Sequence, residues 1–178
     1  MARIPYYDLG KASPVVADAM KNRRPLNIYR MLAHGEETAV NFLALGRSIL
    51  TMSEIDAKLR ELVILRVGAL CGSTYEMIQH RSVAAKVGVS AEKIEAVLAD
   101  PGSDVHAELF NDMEQAVLRF TDSVVREVKA PEPLFRGVAT ELPHRQLIEL
   151  LMTIGFYMLA SRISENLEVD IEEAEQAR

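Results

Sequence analysis

The segment from residue 62 to residue 71 constrains the fold more than any other part of the chain. Every position in it is apolar except Arg66 and Gly68. A helix that is apolar on nearly every side must be buried on nearly every side. The chain must therefore supply other helices that pack around this segment.

The rest of the chain has a helical period. Apolar residues recur at spacings of three and four over residues 26–50, 105–128 and 143–166, and Gly35 divides the first of these ranges. Three serines precede such patterns and are predicted N-caps: Ser53, Ser73 and Ser90. No alternating run of β-branched residues is long enough for a sheet. These patterns predict an all-α protein with a single domain.

Three regions are expected along the chain. Prolines at positions 5, 14 and 25 disfavour a long helix, so residues 1–25 are predicted to form an arm that lies across a neighbouring surface. Residues 26–170 then form the helical domain, and the polypeptide ends on an acidic tail, residues 171–178, within a solvated and frayed end that begins near Glu165. Pro131 and Pro133 are expected to terminate the helix before them.

Composition excludes several classes of protein. A chain of 178 residues suits one compact domain. Its 26 acidic and 20 basic residues leave a formal charge of −6, which argues against a nucleic-acid partner. A single cysteine excludes an intrachain disulfide and a Cys-rich metal site. No apolar stretch of signal-peptide or membrane-spanning length is recognised, so we expect a cytoplasmic protein without a membrane partner.

Polar residues gather directly after the apolar segment. On a helix that begins at Ser73, the side chains of Ser73, Glu76 and His80 fall within roughly 60° of one another. An antiparallel hairpin would bring Glu61 back toward the same face. A histidine beside partly buried carboxylates is suited to proton transfer.

Further residues are candidates for binding a substrate. Tyr75 and Tyr157 are expected to offer hydroxyl donors to a developing oxyanion. Arg66 is the more suggestive of two arginines for holding a carboxylate, because its helix is so apolar; Arg162 is the other. Pocket specificity is assigned to the side chains of Tyr29, Met77, Phe156 and Tyr157.

Each of these residues also has a purely structural interpretation. Ser73 and Glu76 have the spacing of a capping box. Glu61 has the spacing of a surface ion pair with Lys58, and His80 is compatible with an ordinary packed histidine. Glu76 and His80 also have the spacing of a metal pair, but no third ligand lies close in sequence, so no metal is expected.

The motifs Leu59-Arg60-Glu61-Leu62 and Tyr75-Glu76-x-x-x-His80 resemble the carboxymuconolactone decarboxylase family. Its superfamily also contains the AhpD-type alkylhydroperoxidases, and the resemblance extends over about residues 25–170. It implies an all-helical AhpD-like bundle that assembles as a homo-oligomer, either a trimer or a hexamer. It also implies a small-molecule substrate bound near subunit interfaces.

In the peroxidase branch of this superfamily, a Glu, a Cys-x-x-Cys pair and a His form the redox centre. By resemblance, Glu61 and His80 match that Glu and that His, whereas the two cysteine positions fall on Ser73 and Glu76. Serine and glutamate cannot run a dithiol cycle, so peroxide reduction is not expected. Cys71 is interpreted as a small buried apolar residue.

The decarboxylase branch implies different chemistry, without a cofactor. The expected function is a lyase of aromatic catabolism, a decarboxylase or proton-transfer enzyme acting on a small carboxylated lactone or keto acid. His80 would carry the proton, Glu61 would orient His80 or relay a proton to it, and Glu76 would be a second acid or base. Four residues are assigned to substrate binding: Tyr75, Ser73, Arg66 and Tyr157. The alternatives are a non-catalytic oligomeric binding protein and a thiol-dependent alkylhydroperoxidase.

Overall fold

A computed structural model of the protein describes residues 1–99 and 107–172. Within these residues it contains nine α-helices and no strand, which confirms the all-α prediction. The helices are α1 (Pro14–Met20), α2 (Asn27–Leu32), α3 (Glu37–Met52), α4 (Ala57–Leu70), α5 (Thr74–Val87), α6 (Ala91–Leu98), α7 (Asp112–Glu127), α8 (Glu132–Ala139) and α9 (His144–Leu167).

Helix α4 is the centre of the fold. Its residues 59–68 are all buried, and α5, α6, α7 and α9 pack around it. The apolar segment therefore behaves as its composition predicts. Gly68 at one end of α4 meets Met77, and Glu61 at the other end meets His80, so α4 and α5 form an antiparallel hairpin.

Short polar motifs mark most helix boundaries. Ser73 and Ser90 are the N-caps of α5 and α6, as predicted. Ser53 is not an N-cap, because the side chain of Asp56 accepts the first free N–H groups of α4. The hydroxyl of Ser53 instead donates to Glu149 at 2.9 Å.

Between residues 105 and 139, two helix boundaries differ from those that the sequence predicts. Helix α7 begins at Asp112 behind a capping box formed by Asn111 and Glu114, and residues 100–106 lie outside the described residues. The prolines after α7 do not simply end it. Pro131 is the N-cap of α8, and Pro133 lies in its first turn, where no N–H donor is needed.

The two termini pack against each other. The N–H of Arg3 donates to the carbonyl of Leu167 at 2.9 Å, and the hydroxyl of Tyr6 donates to Asp170 at 2.9 Å. Glu172 also accepts hydrogen bonds, so the end expected to be frayed is anchored at least to this residue. Residues 173–178 of the predicted tail lie outside the described part of the chain.

Helix α9 is long and apolar enough, by length and composition, to cross a membrane, although no such window was expected. Half of its most apolar window is buried inside the fold. It packs on α4, α5 and α7, as the core helix of a helical domain does. Its apolar composition therefore follows from its place beside α4.

Candidate active site

A cavity of about 210 Å³ lies between α2, α3, α5 and α9. Its wall is mainly apolar, with polar groups supplied by α5, by two arginines and by Thr51. The aromatic and aliphatic wall is formed by Leu26, Ile28, Tyr29, Phe42, Leu43, Gly46, Leu50, Tyr75, Phe156, Tyr157 and Ala160. The remaining lining residues are Arg23, Arg47, Thr51, Glu76, Gln79 and His80.

His80 and Glu61 form the central pair of this site. Nδ1 of His80 lies 2.7 Å from Oε2 of Glu61, whose side chain is fully buried. A carboxylate only accepts hydrogen bonds, so Nδ1 carries the proton and Nε2 is left as a free acceptor. The pairing therefore sets the tautomer of the imidazole that lines the cavity.

The second oxygen of Glu61 has no hydrogen bond from any described residue. The nearest cation is Arg60, whose Nε lies 3.5 Å from Oε1 of Glu61 and is also without a hydrogen bond there. This guanidinium places a positive charge beside a carboxylate that burial removes from water. The predicted surface pair between Glu61 and Lys58 is therefore wrong.

Glu76 is the second carboxylate close to His80. Its Oε2 lies 3.8 Å from Nε2 of His80, beyond hydrogen-bond length but within close electrostatic range. Burial raises the pKa of Glu76; His80 opposes this effect and Glu165 adds to it. Glu76 therefore keeps its proton to a higher pH than an exposed glutamate does.

The two predicted tyrosine donors differ in availability. The hydroxyl of Tyr157 forms no hydrogen bond with a described residue, and its ring meets that of His80 edge-on at 4.8 Å. Burial raises its pKa, so the hydroxyl remains a donor. Tyr75 also lines the cavity, but its hydroxyl donates to Glu172 at 2.7 Å and accepts from the N–H of Ile28.

Residues 36–119, which carry both members of the central pair, match the model of the carboxymuconolactone decarboxylase family. Over this region the chain is similar to that family. No curated protein matches the sequence.

Solved structures extend the likeness to nearly the whole chain. An AhpD-core, peroxidase-related protein from Ralstonia eutropha JMP134 has a TM-score of 0.79 at 14% identity, over 98% of this chain and 94% of its own. The debrominase Bmp8 in complex with 2,3,4-tribromopyrrole has a TM-score of 0.78 at 19% identity, over 99% and 97%. A putative antioxidant defence protein AhpD from Agrobacterium tumefaciens reaches 0.68 at 18% identity, over 79% and 94%. At these identities the likeness shows the AhpD-like fold.

Ser73 and Glu76 correspond by resemblance to the cysteine pair of the family's peroxidases. They have different roles in this protein. The hydroxyl of Ser73 caps α5 and lies 3.0 Å from the hydroxyl of Ser164, so it is buried outside the cavity. Glu76 faces His80 instead of completing a capping box with Ser73. Cys71 is half-buried outside the cavity lining, and burial raises the pKa of its thiol. Among the described residues, no cluster of three or more His, Cys, Asp or Glu side chains has the arrangement of a metal site.

Two residues assigned to substrate binding, Ser73 and Arg66, lie outside the cavity lining. Ser73 is used by the fold, as described above. Arg66 forms a bidentate pair with Asp122, both bonds being 2.6 Å, and also donates to the carbonyl of Val97. Arg162 is exposed and donates to the carbonyl of Met158. Neither arginine lines the cavity.

The arginines that do line the cavity were missed. Arg23 donates to the carbonyls of Ala19 and Leu43, and its guanidinium lies 5.8 Å from the centre of the Tyr29 ring. Arg47 is exposed and forms no ion pair with a described residue. It lies one residue after Gly46 and four after Leu43 on α3. This spacing on α3 was the sequence signal that could have placed Arg47 on the cavity wall.

The predicted specificity residues are placed partly as expected. Tyr29, Phe156 and Tyr157 line the cavity, whereas Met77 packs against Gly68 outside it. Gly46 lets α3 approach Phe156, because a Cβ at this glycine would lie 2.8 Å from Cζ of that ring. The width of the cavity therefore depends on the absence of a side chain at Gly46.

Proposed function

We propose that this protein is a cofactor-independent decarboxylase, or a related proton-transfer lyase or isomerase, acting on a small carboxylated lactone or keto acid. The observation that carries the proposal is the Glu61–His80–Glu76 array opening on an apolar cavity. The match to the family model and the likeness to a debrominase support an enzymatic role.

The cavity suits a substrate that has both an apolar ring and an anionic group. Phe42, Leu50 and Phe156 offer apolar surface to a ring, and Arg47 offers an exposed cation without a described acidic partner. Guanidinium groups bind carboxylates through paired N–H donors. We assign Arg47, supported by Arg23, the role that the sequence suggested for Arg66.

The proposed reaction begins with loss of carbon dioxide. The bond between the ring carbon and the leaving carboxylate breaks, and its electron pair moves toward the lactone carbonyl oxygen. The free hydroxyl of Tyr157 donates a hydrogen bond to the oxyanion that forms. Apolar walls favour this step when they, and not Arg47, surround the leaving carboxylate, because the ionised group is poorly solvated there, whereas carbon dioxide is neutral.

A proton must then return to carbon. Nε2 of His80 accepts a proton from Glu76 and passes it to the carbanionic carbon, while Glu61 stabilises the imidazolium that exists between the two transfers. The lactone carbonyl re-forms as the carbon is protonated. Glu76 then takes a proton from water, so one proton is consumed for each carbon dioxide released.

The test is carbon dioxide release from carboxymuconolactone by the wild-type protein and two histidine variants. His80→Ala removes the proton carrier, and His144→Ala is the matched control because His144 is exposed at the start of α9. We expect release by the wild type and by His144→Ala, and its loss in His80→Ala. The proposal fails if the wild type neither releases carbon dioxide nor exchanges solvent deuterium into candidate lactones and keto acids.

We further propose that the protein acts in the cytoplasm as a homo-oligomer, either a trimer or a hexamer. An exposed apolar stripe on one face of α9 supports assembly: Ile148, Leu151, Met152 and Leu159. Stripes of this kind mark contact surfaces when no other part of the chain covers them. Sedimentation equilibrium of the wild type and of Met152→Glu tests this assignment, and an unchanged mass in the variant would contradict it.

A further inference from the structure

Glu172 binds three donors from two different helices. Its Oε1 accepts from the backbone N–H of Asn27 at 2.6 Å and from the hydroxyl of Tyr75 at 2.7 Å. Its Oε2 accepts from the side-chain amide of Gln79. One carboxylate therefore joins the start of α2 to one face of α5.

Both helices supply wall to the cavity. Tyr75 and Gln79 line it directly, and Asn27 immediately precedes two lining residues, Ile28 and Tyr29. Leu26, the N-cap of α2, makes no side-chain cap. Glu172 thus provides the acceptor and the negative charge that the start of a helix favours.

The segment that carries Glu172 is held along its length. The side-chain amide of Asn27 donates to the carbonyl of Asp170 at 2.9 Å. Val169 is buried in a cluster with Ile28, Met31 and Tyr75. These contacts hold the segment beside the cavity wall, with Glu172 at the point where α2 and α5 meet.

We propose that Glu172 is a positioning residue that clamps α2 to α5 and so keeps this wall of the cavity closed. His80 lies in the same cavity and is 8% exposed. Release of the clamp would let the first turn of α2 separate from α5 and would open a path to Nε2 of His80. The clamp itself does not depend on turnover; only its effect on a reaction rate rests on the proposed function.

The experiment measures the rate at which diethylpyrocarbonate acylates His80 in the full-length protein, with the modified peptide quantified by mass spectrometry. Glu172→Ala removes all three contacts. Glu172→Gln keeps the side-chain length and one acceptor oxygen. Glu168→Ala is the matched control, because Glu168 lies on the same segment but pairs with Arg3 at the surface. His144, exposed on α9, is the internal reference within each sample.

We expect Glu172→Ala to raise the acylation rate of His80 roughly tenfold or more, since hydrogen bonds to a charged group are among the stronger ones. Glu172→Gln should restore most of the protection, and Glu168→Ala should match the wild type. Equal rates in wild type and Glu172→Ala would overturn the proposal. An equal increase in Glu168→Ala would also overturn it, since that would show general loosening of the C-terminal segment.

A second measurement separates opening from unfolding. Hydrogen–deuterium exchange should increase over residues 27–32 in Glu172→Ala while α4 stays protected; faster exchange throughout α4 would contradict a local clamp. If the wild type turns over carboxymuconolactone, the variant should raise KM more than it lowers kcat. If the wild type is inactive, the acylation rates still decide the clamp, so the two proposals fail separately.

Discussion

Two of the ionisable side chains that helix α4 buries, Arg66 and Glu61, lie in contrasting surroundings. Arg66 is 1% exposed, and its guanidinium binds both oxygens of Asp122 and a backbone carbonyl. Glu61 is fully buried, but one of its oxygens has no hydrogen bond among the described residues. Its partner His80 keeps a free nitrogen beside a cavity.

The contrast separates a charge that the fold uses from one that the proposed mechanism uses. A buried ion pair with its hydrogen bonds satisfied stabilises one arrangement and has nothing left to offer a ligand. A buried acid linked to a histidine on a cavity wall can direct a proton to a bound molecule. Burial of a charged side chain on an apolar helix therefore does not by itself indicate function. The residue with which that side chain pairs distinguishes a structural role from a chemical one.

The largest effect should come from Glu61→Gln. The amide cannot stabilise an imidazolium, so kcat for decarboxylation should fall by about 10²–10⁴. Carbon dioxide release measures kcat, and circular dichroism checks that the variant folds. An unchanged kcat would remove Glu61 from the proposed mechanism.

Asp122→Ala should disrupt the structural pair of the comparison, Arg66 and Asp122. It leaves a buried guanidinium without its carboxylate, so the free energy of unfolding should fall by about 3–5 kcal/mol. Urea denaturation measures this change. The double variant Arg66→Met with Asp122→Leu should recover much of the loss, because apolar residues of similar volume can replace a buried pair. A kcat that falls in the folded fraction of either variant would show that the pair also serves the reaction.

Gly46→Ala should narrow the cavity without touching either charge. The new methyl group meets the Phe156 ring, so we expect a loss of about 1–3 kcal/mol in stability together with a higher KM. Gly155→Ala is the matched control, since a Cβ there meets nothing within 4 Å and alanine favours a helix. Thermal unfolding and substrate titration of both variants measure the two effects. An equal KM in both would show that Phe156 does not shape the binding space.

Among the effects on stability, Glu76→Gln should give the smallest, a change in how the melting temperature depends on pH. Burial raises the pKa of Glu76 in the folded protein above its unfolded value. Its contribution to stability is therefore complete below the unfolded pKa and is lost as pH rises through the folded pKa. The glutamine variant has no group that ionises at this position, so it does not lose this stability. The melting temperature of the variant relative to the wild type should therefore increase as pH rises. Parallel melting curves from about pH 4 to about pH 8 would contradict the raised pKa.

The sequence by itself determined the core and one part of the site. The apolar run of α4 requires burial, and the break at Gly72-Ser73 turns the chain into an antiparallel α5. A short turn between two regular helices leaves few ways for them to meet, so the proximity of Glu61 to His80 followed from local pattern.

Only the tertiary structure decided which partners the other residues have. Arg66 is neutralised by Asp122 on α7, Tyr75 is occupied by Glu172 near the C-terminus, and Arg47 reaches the cavity from α3. Each of these contacts joins residues far apart in the chain. Helical periodicity specifies which face of a helix is buried, but the partner on that face depends on how separate helices pack, and local spacing carries no record of that packing.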